Sequence, residues 1–150
     1  MIQHTLFAMG DWLAVNGAAI FGTRPWFSVG FGEGPTKLNP GSFHEWPTFT
    51  SKDFRFTTAG KAVFALAMAW SPDGTVIIKS LNSTTGPGAN ITKVTLLGSD
   101  TDVKYKVTAT GLMMGPMAKP DGLAHVFVFQ IHTKGSKMGF VTWDAVEEGT

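Results

Sequence analysis

The sequence predicts a mainly β protein: a small antiparallel β-sandwich, preceded by a short N-terminal helix and a long connection rich in aromatic residues and glycine. Three observations predict it. Between Phe54 and Ile131 the apolar residues fall in short runs of strand length: FRFTT at 54–58, AVFALAMAW at 62–70, TVIIKSL at 75–81, ITKVTLL at 91–97, VKYKVTA at 103–109, LMMGPMA at 112–118 and AHVFVFQI at 124–131. Gly, Pro, Asn or Asp occupies most of the gaps, as turns between antiparallel strands require. No run sustains a 3.6-residue repeat over three turns.

Composition bounds the rest. The 150 residues make about one domain, and 43 % hydrophobic content with 12 Phe and 5 Trp is ample for a core. The formal charge is +1, from 12 basic and 11 acidic residues. With no field of one sign, neither nucleic acid nor an acidic membrane is an expected partner. The absence of Cys excludes disulfides and thiolate metal sites and leaves the compartment open. The start, MIQHTLFAMGDW, lacks the basic region and long apolar segment of a signal peptide. No run reaches the roughly 18 apolar residues of a membrane span. Localisation is unassigned.

From Thr5 to Ala19, Leu6, Met9, Leu13 and Ala14 repeat at helical spacing beside Trp12, and Asn16-Gly17 supplies a stop. Asp11 is a candidate cap for this helix or a partner for Arg24. The following stretch, GAAIFGTRPWFSVGFGEGPTKLNPG at 17–41, is a long connection. Its Phe21, Trp26, Phe27 and Phe31 are too apolar to stay in water, so it lies on the sandwich or on a partner. The expected division is therefore 1–51, helix and connection, and 52–150, sandwich. Lys52-Asp53 opens the first strand, with Phe54 and Phe56 on one face and Arg55 on the other. Thr57 to Gly60 is expected to turn the chain, and Val63 to Trp70, apolar on both faces, is placed centrally. Ser71-Pro72-Asp73-Gly74 is a turn signal with a mechanism: Pro presets φ and Gly accepts a positive one. Asn82 to Asn90 is a polar loop. Val103, Tyr105 and Val107 face inward and Lys104 and Lys106 outward. Gly115-Pro116 beside Met113, Met114 and Met117 predicts an edge strand or a bulge. A central strand over 124–131 and a further strand around Val141 and Trp143 complete the expectation.

Several of these segments resemble a known family. GDWLAVNGAAIFGTRPW at 10–26 is similar to the closing segment of the catalytic barrel in family 29 α-L-fucosidases, where the last barrel helix leads to a C-terminal β-sandwich. GEGPT at 32–36, KDFRFTTAGKAVFALAMAW at 52–70, DGTVIIKSL at 73–81 and ITKVTLLGS at 91–99 continue the resemblance in order. It covers roughly 8 to 131; the tail from His132 falls outside it. The resemblance implies a retaining glycosidase context, with an Asp nucleophile at a barrel strand end and usually a Glu acid/base in a barrel loop. Both lie upstream of the segment matching Gly10, so no position here inherits either role. The implied reading is a non-catalytic accessory sandwich with weak carbohydrate binding at most. A sandwich without its barrel exposes an apolar patch around the N-terminal helix and residues 20–31, from which a homodimer or higher oligomer is expected.

The alternative is a small glycoside hydrolase, which needs two carboxylates about 5 Å apart. Glu33, between Gly32 and Gly34 in the aromatic connection, is a loop anchor or part of a sugar site. Paired with Glu45 or Asp53 it is the best available candidate. Asp73 and Asp121 precede Gly and belong to turns; Asp100, Asp102, Glu147 and Glu148 are loop and tail residues. His4, His44, His125 and His132 lack metal spacing, and neither a metal nor another cofactor is expected. GFGEGP lacks the Lys-Ser/Thr of a phosphate loop. Trp26 and Trp46, in the irregular stretch, are the candidate sugar platforms, with Arg24 and Glu33 as polar partners. Trp70 reads as core.

Overall fold

A computed structural model of the chain describes residues 2–26, 32–36, 48–84, 86–99, 102–119 and 126–134. Helix α1 (Ile2–Asn16) runs into a 3-10 turn (Gly17–Ala19). Eight strands follow: β1 (Arg24–Pro25), β2 (Phe54–Ala59), β3 (Ala62–Ala67), β4 (Val76–Ile78), β5 (Ile91–Leu96), β6 (Tyr105–Thr108), β7 (Gly111–Met114) and β8 (Phe127–Thr133). They form two antiparallel sheets, one of order β1-β2-β3-β8-β5 and one of order β4-β7-β6. The predicted mainly β sandwich with a preceding helix is what the chain forms.

Alternation builds the core. Phe54 and Phe56 of β2, Val63 and Ala65 of β3, Phe129 and Ile131 of β8 and Val94 and Leu96 of β5 cover the inner face of the large sheet. Val76, Ile78, Leu112 and Met114 meet them from the small sheet. Trp70 closes one end, its ring edge-on to Phe127 at 4.9 Å. Strand β3 reads as an unbroken apolar run, and β8 as one over residues 127–129, because both faces are covered there. Their outward residues Phe64 and Val128 pack under Ala19 and Trp12 at the end of α1. In β5, Ile91 and Val94 are an odd number of residues apart, yet both join the core. A bulge between Ile91 and Lys93 restores the phase.

Four local expectations are corrected. The turn after β2 is not at Thr57 to Gly60: the ladder continues to the pair Ala59↔Ala62, leaving Gly60-Lys61 as the turn, with Gly60 at φ 59°. Strand β7 is central in its sheet rather than an edge, because Pro116 lies beyond its last residue and removes no ladder hydrogen bond. The polar loop contains a 3-10 helix, Gly86–Asn90. Asp11, offered as a cap for α1, is one of the corrected expectations, whereas the exposed patch expected around the helix is present. Only the last turns of α1 reach the sheet, held by Trp12, whose indole N–H donates to Val126 O at 2.9 Å, and by the buried Asn16. Leu6 and Met9 stay exposed. Asp11 lies inside the helix and caps neither end. The strand expected near Val141 and Trp143 lies outside the described residues.

Phe129 is fully buried, so Phe129→Ala is expected to cost about 3–5 kcal/mol. Phe7→Ala, on the exposed part of α1, is expected to change stability by no more than about 0.5 kcal/mol. Urea unfolding followed by tryptophan fluorescence measures both.

Candidate functional site

Three of the sequence-predicted site residues, Arg24, Glu33 and Asp53, lie along the outer edge of β2 or directly before it. There the connection runs antiparallel to β2, pairing Arg24↔Thr58 and Pro25↔Thr57, then Glu33↔Phe54. The hydroxyl of Thr57 donates to Ala19 O at 2.6 Å and that of Thr58 to Arg24 O at 3.4 Å, so β2 also fixes the end of the helical segment.

The Gly-Glu-Gly sequence follows from how closely the connection lies on β2. Gly32 and Gly34 both sit at φ 123°, where side chains are rarely tolerated. A Cβ on Gly32 would fall on the carbonyl oxygen of Phe54, and one on Gly34 on the carboxylate and main chain of Asp53. Glu33 between them pairs through its main chain with Phe54: its N–H donates to Phe54 O at 3.1 Å and its carbonyl accepts from Phe54 N at 2.8 Å. Its carboxylate reaches the other sheet. Oε2 accepts from Lys79 N at 2.8 Å and Oε1 from Ser80 N at 2.9 Å, in the turn after β4. One residue thus bonds both sheets at the open side of the sandwich.

Asp53 does the same for the loops. Its side chain is fully buried. Oδ1 accepts from Thr36 N at 2.9 Å, while Oδ2 accepts from Thr36 Oγ1 at 2.7 Å, Thr50 N at 2.7 Å and Thr50 Oγ1 at 3.0 Å. Burial alone pushes a carboxyl up. Here the amide of Thr50, the hydroxyl and amide of Thr36 and the hydroxyl of Thr50 outweigh it and hold Asp53 below the usual carboxylate value. A general acid working near neutrality needs the opposite shift. A nucleophile needs an open face, which Asp53 lacks. Asp53 and Glu33 are therefore anchors in this structure, with their oxygens already bonded to main-chain and hydroxyl donors.

The other predicted site residues separate. Trp26 is 2 % exposed and packs edge-on against Phe56 at 5.1 Å, so neither ring face is open to a sugar. This corrects the platform expectation: the apolar ring is drawn into the core between the sheets. Its indole N–H is buried without a partner. Arg24 is exposed and tied to β2 through its main chain. Glu45 and Trp46 lie outside the described residues. Asp73 has the expected turn role, accepting from Ser71 Oγ at 2.7 Å and Thr75 N at 2.9 Å, and the Ser71 hydroxyl first among these contacts lowers its carboxyl. Among the described residues no three His, Asp or Glu side chains converge on a metal position, and no described helix is long and apolar enough to cross a membrane. Sequence reasoning missed Thr36 and Thr50. Thr50 stands three residues before Asp53, a spacing that permits local side-chain bonding; Thr36, seventeen residues away, carries no local signal.

The model of the α-L-fucosidase C-terminal domain family matches residues 47–132, more than half of the 150. The chain belongs to that family. It is 27 % identical over 139 residues to the tissue α-L-fucosidase of Homo sapiens and 28 % over 140 residues to that of Bos taurus. Each match takes in 91 % of this chain and 25 % of the relative. To the Mus musculus protein it is 30 % identical over 105 residues, 70 % of this chain and 18 % of the relative. The chain thus spans about a quarter of the length of the first of these relatives. The structure of α-L-fucosidase isoenzyme 1 from Paenibacillus thiaminolyticus superimposes with a TM-score of 0.50 at 18 % identity, over 84 % of this chain and 25 % of that one, a likeness of fold.

Asp53→Ala strands two amides and two hydroxyls, so we expect it to destabilise the chain by at least about 2 kcal/mol. The pH dependence has a definite sign. Because the folded carboxyl lies below the ordinary value of 3.8, its contribution is complete above that value and is lost as pH falls through the lower folded value. The stability gap between the unaltered chain and Asp53→Asn should therefore be constant at neutral pH and narrow only in strong acid. Urea titrations across pH measure it; a gap that closes near neutrality would contradict the anchor role.

Proposed function

We propose that this chain is a non-catalytic accessory β-sandwich of an α-L-fucosidase-like glycoside hydrolase. Residues 52–150 are the sandwich in this reading, and residues 1–51 form its attachment, with α1 equivalent to the last helix of a catalytic barrel. The observation that carries the reading is the engagement of Glu33 and Asp53. Of the carboxylates put forward for hydrolysis, both described ones serve as anchors on main-chain amides. Family membership and relatives named tissue α-L-fucosidase support the carbohydrate setting. The shape of α1 supports the attachment role: it touches the sandwich by its end and holds Leu6, Phe7 and Met9 away from it.

Sugar recognition by the sandwich alone is weak in this reading. With Trp26 in the core, Trp46 is the platform left from the sequence expectation, and a shallow site recovers little of its ordering and desolvation cost. Purified chain should therefore show no turnover of an aryl α-L-fucoside. NMR shift mapping with free fucose should give a dissociation constant no tighter than about 1 mM, or roughly −4 kcal/mol. Turnover abolished by a single carboxylate substitution, or micromolar binding of fucose, would replace this reading with the small-hydrolase one.

A further inference from the structure

The chain is close to neutral as a whole, with 12 basic and 11 acidic residues, yet its charges are unevenly spread. At one end of the large sheet three lysines surround a histidine. Lys93 of β5 and His132 of β8 are directly paired across the ladder. Their neighbours Val94 and Ile131 point into the core, so both point outward. Lys134 follows two residues after His132, and its amide donates to Asn90 O at 3.0 Å, just before β5. Lys61, in the turn between β2 and β3, accepts through its carbonyl from the amide of Thr133 at 2.9 Å and from the Thr133 hydroxyl at 2.6 Å. Main-chain bonds thus hold the four residues on or beside three adjacent strands, which step at about 4.8 Å. The lysines are exposed and His132 is half-buried. Most described carboxylates lie elsewhere. Glu33 and Asp53 are engaged at the start of β2, its far end from Lys61, Asp73 closes the turn before β4, and Asp11 is in α1. Asp102 is the nearest by register, beside Thr95 and two residues along β5 from Lys93. The lysines of the small sheet make a more mixed surface: Lys106 stands opposite Met113, and the Glu33 carboxylate sits on the amide of Lys79.

We propose that this corner of the large sheet binds the sulfate groups of a sulfated polysaccharide. One exposed ammonium on one anion is worth little. Several cations held in fixed places add up on a ligand that repeats its charge, because each contact makes the next one local. A sulfated glycan repeats its anions along its length. A sulfate ester also presents three terminal oxygens, so it can bridge cations on neighbouring strands, where a carboxylate presents two. Nucleic acid, the other repeating anion, needs rings for its bases to stack on when single-stranded and an extended positive field when double-stranded. The residues beside the four by register and sequence, Ala59, Ala62, Asn90 and Thr92, offer no ring, and the formal charge of the chain is only +1. The surface does not depend on what meets α1. The helix reaches the sheet at the other end of β8, through Trp12 on Val126 O and Val15 beside Gly98. The proposal rests on the accessory-module reading for its carbohydrate setting and adds the class of sugar. Turnover of an aryl fucoside tests that reading and does not involve these lysines.

The test is an NMR titration of the full chain with a sulfated fucan, with the same polymer after desulfation, with polygalacturonate and with a single-stranded oligonucleotide. The proposal expects saturable amide shifts with the sulfated fucan, gathered on residues 61–62, 90–93 and 132–134, and larger than those from the other three. They should vanish in 1 M salt, which screens beyond about 3 Å. Lys61→Gln, Lys93→Gln and Lys134→Gln should each weaken binding about two- to fivefold, the scale of one exposed ion pair, and the triple variant about tenfold or more. Lys106→Gln, on the small sheet, should leave binding unchanged. All four lysines are exposed, so the urea midpoint of each variant should stay in place and show that the fold is intact. Undiminished binding by the triple variant would overturn the proposal. So would an equal response to the desulfated polymer, to polygalacturonate or to the oligonucleotide, or no response to the sulfated fucan at low salt.

Discussion

Four hydrogen bonds to the Asp53 carboxylate hold together parts of the chain that are far apart in sequence. Thr36 closes the connection from the N-terminal helix, Thr50 closes the turn before β2, and Asp53 itself stands directly before β2. Removing the carboxylate leaves four partly buried donors without their acceptor, so its loss costs more than one exposed hydrogen bond. Glu33 extends this constraint across the sandwich by bonding β2 through its main chain and the small sheet through its carboxylate. The glycines on either side of Glu33 are then obligatory, since any side chain there would collide with β2. Geometry, charge and local sequence agree at this one edge.

That arrangement changes how the acidic residues are read. Glu33 in a Gly-rich aromatic segment, taken with Glu45 or Asp53, looks like hydrolytic chemistry when only the residue types are known. Catalysis requires one of them to hold a proton near neutrality and both to face a cleft. Asp53 is buried, ionised and saturated with donors, and Glu33 caps two amides. Their role is to fix the pose of the N-terminal segment on the sandwich.

The sheet was legible in the sequence where local pattern and tertiary role coincide. Phe54 and Phe56 announce a half-buried strand by alternation, and Ser71 to Gly74 announces its turn by backbone preference. Strands β3 and β8 were recognisable as central because their apolar runs ignore the alternation. The misplaced features depended on partners that no local window contains. The helix spacing of α1 was legible, but the bond from Trp12 to Val126 O that ties its end to the sheet joins residues far apart in sequence. Trp26 was expected to pack on something, and only its contact with Phe56 shows that the ring lies in the core rather than offering a face to a sugar. Glu33 was identified as a residue of interest, but its acceptor role depends on two amides more than forty positions away.

The anchor role of Asp53 is tested most directly by NMR titration of its side-chain carboxyl carbon in the folded chain. The account predicts a shift that stays at the ionised value through the neutral and mildly acidic range and moves only below the ordinary carboxylate value of 3.8. A transition near neutrality would show a proton-holding carboxyl poised for acid–base work and would contradict the account at its centre.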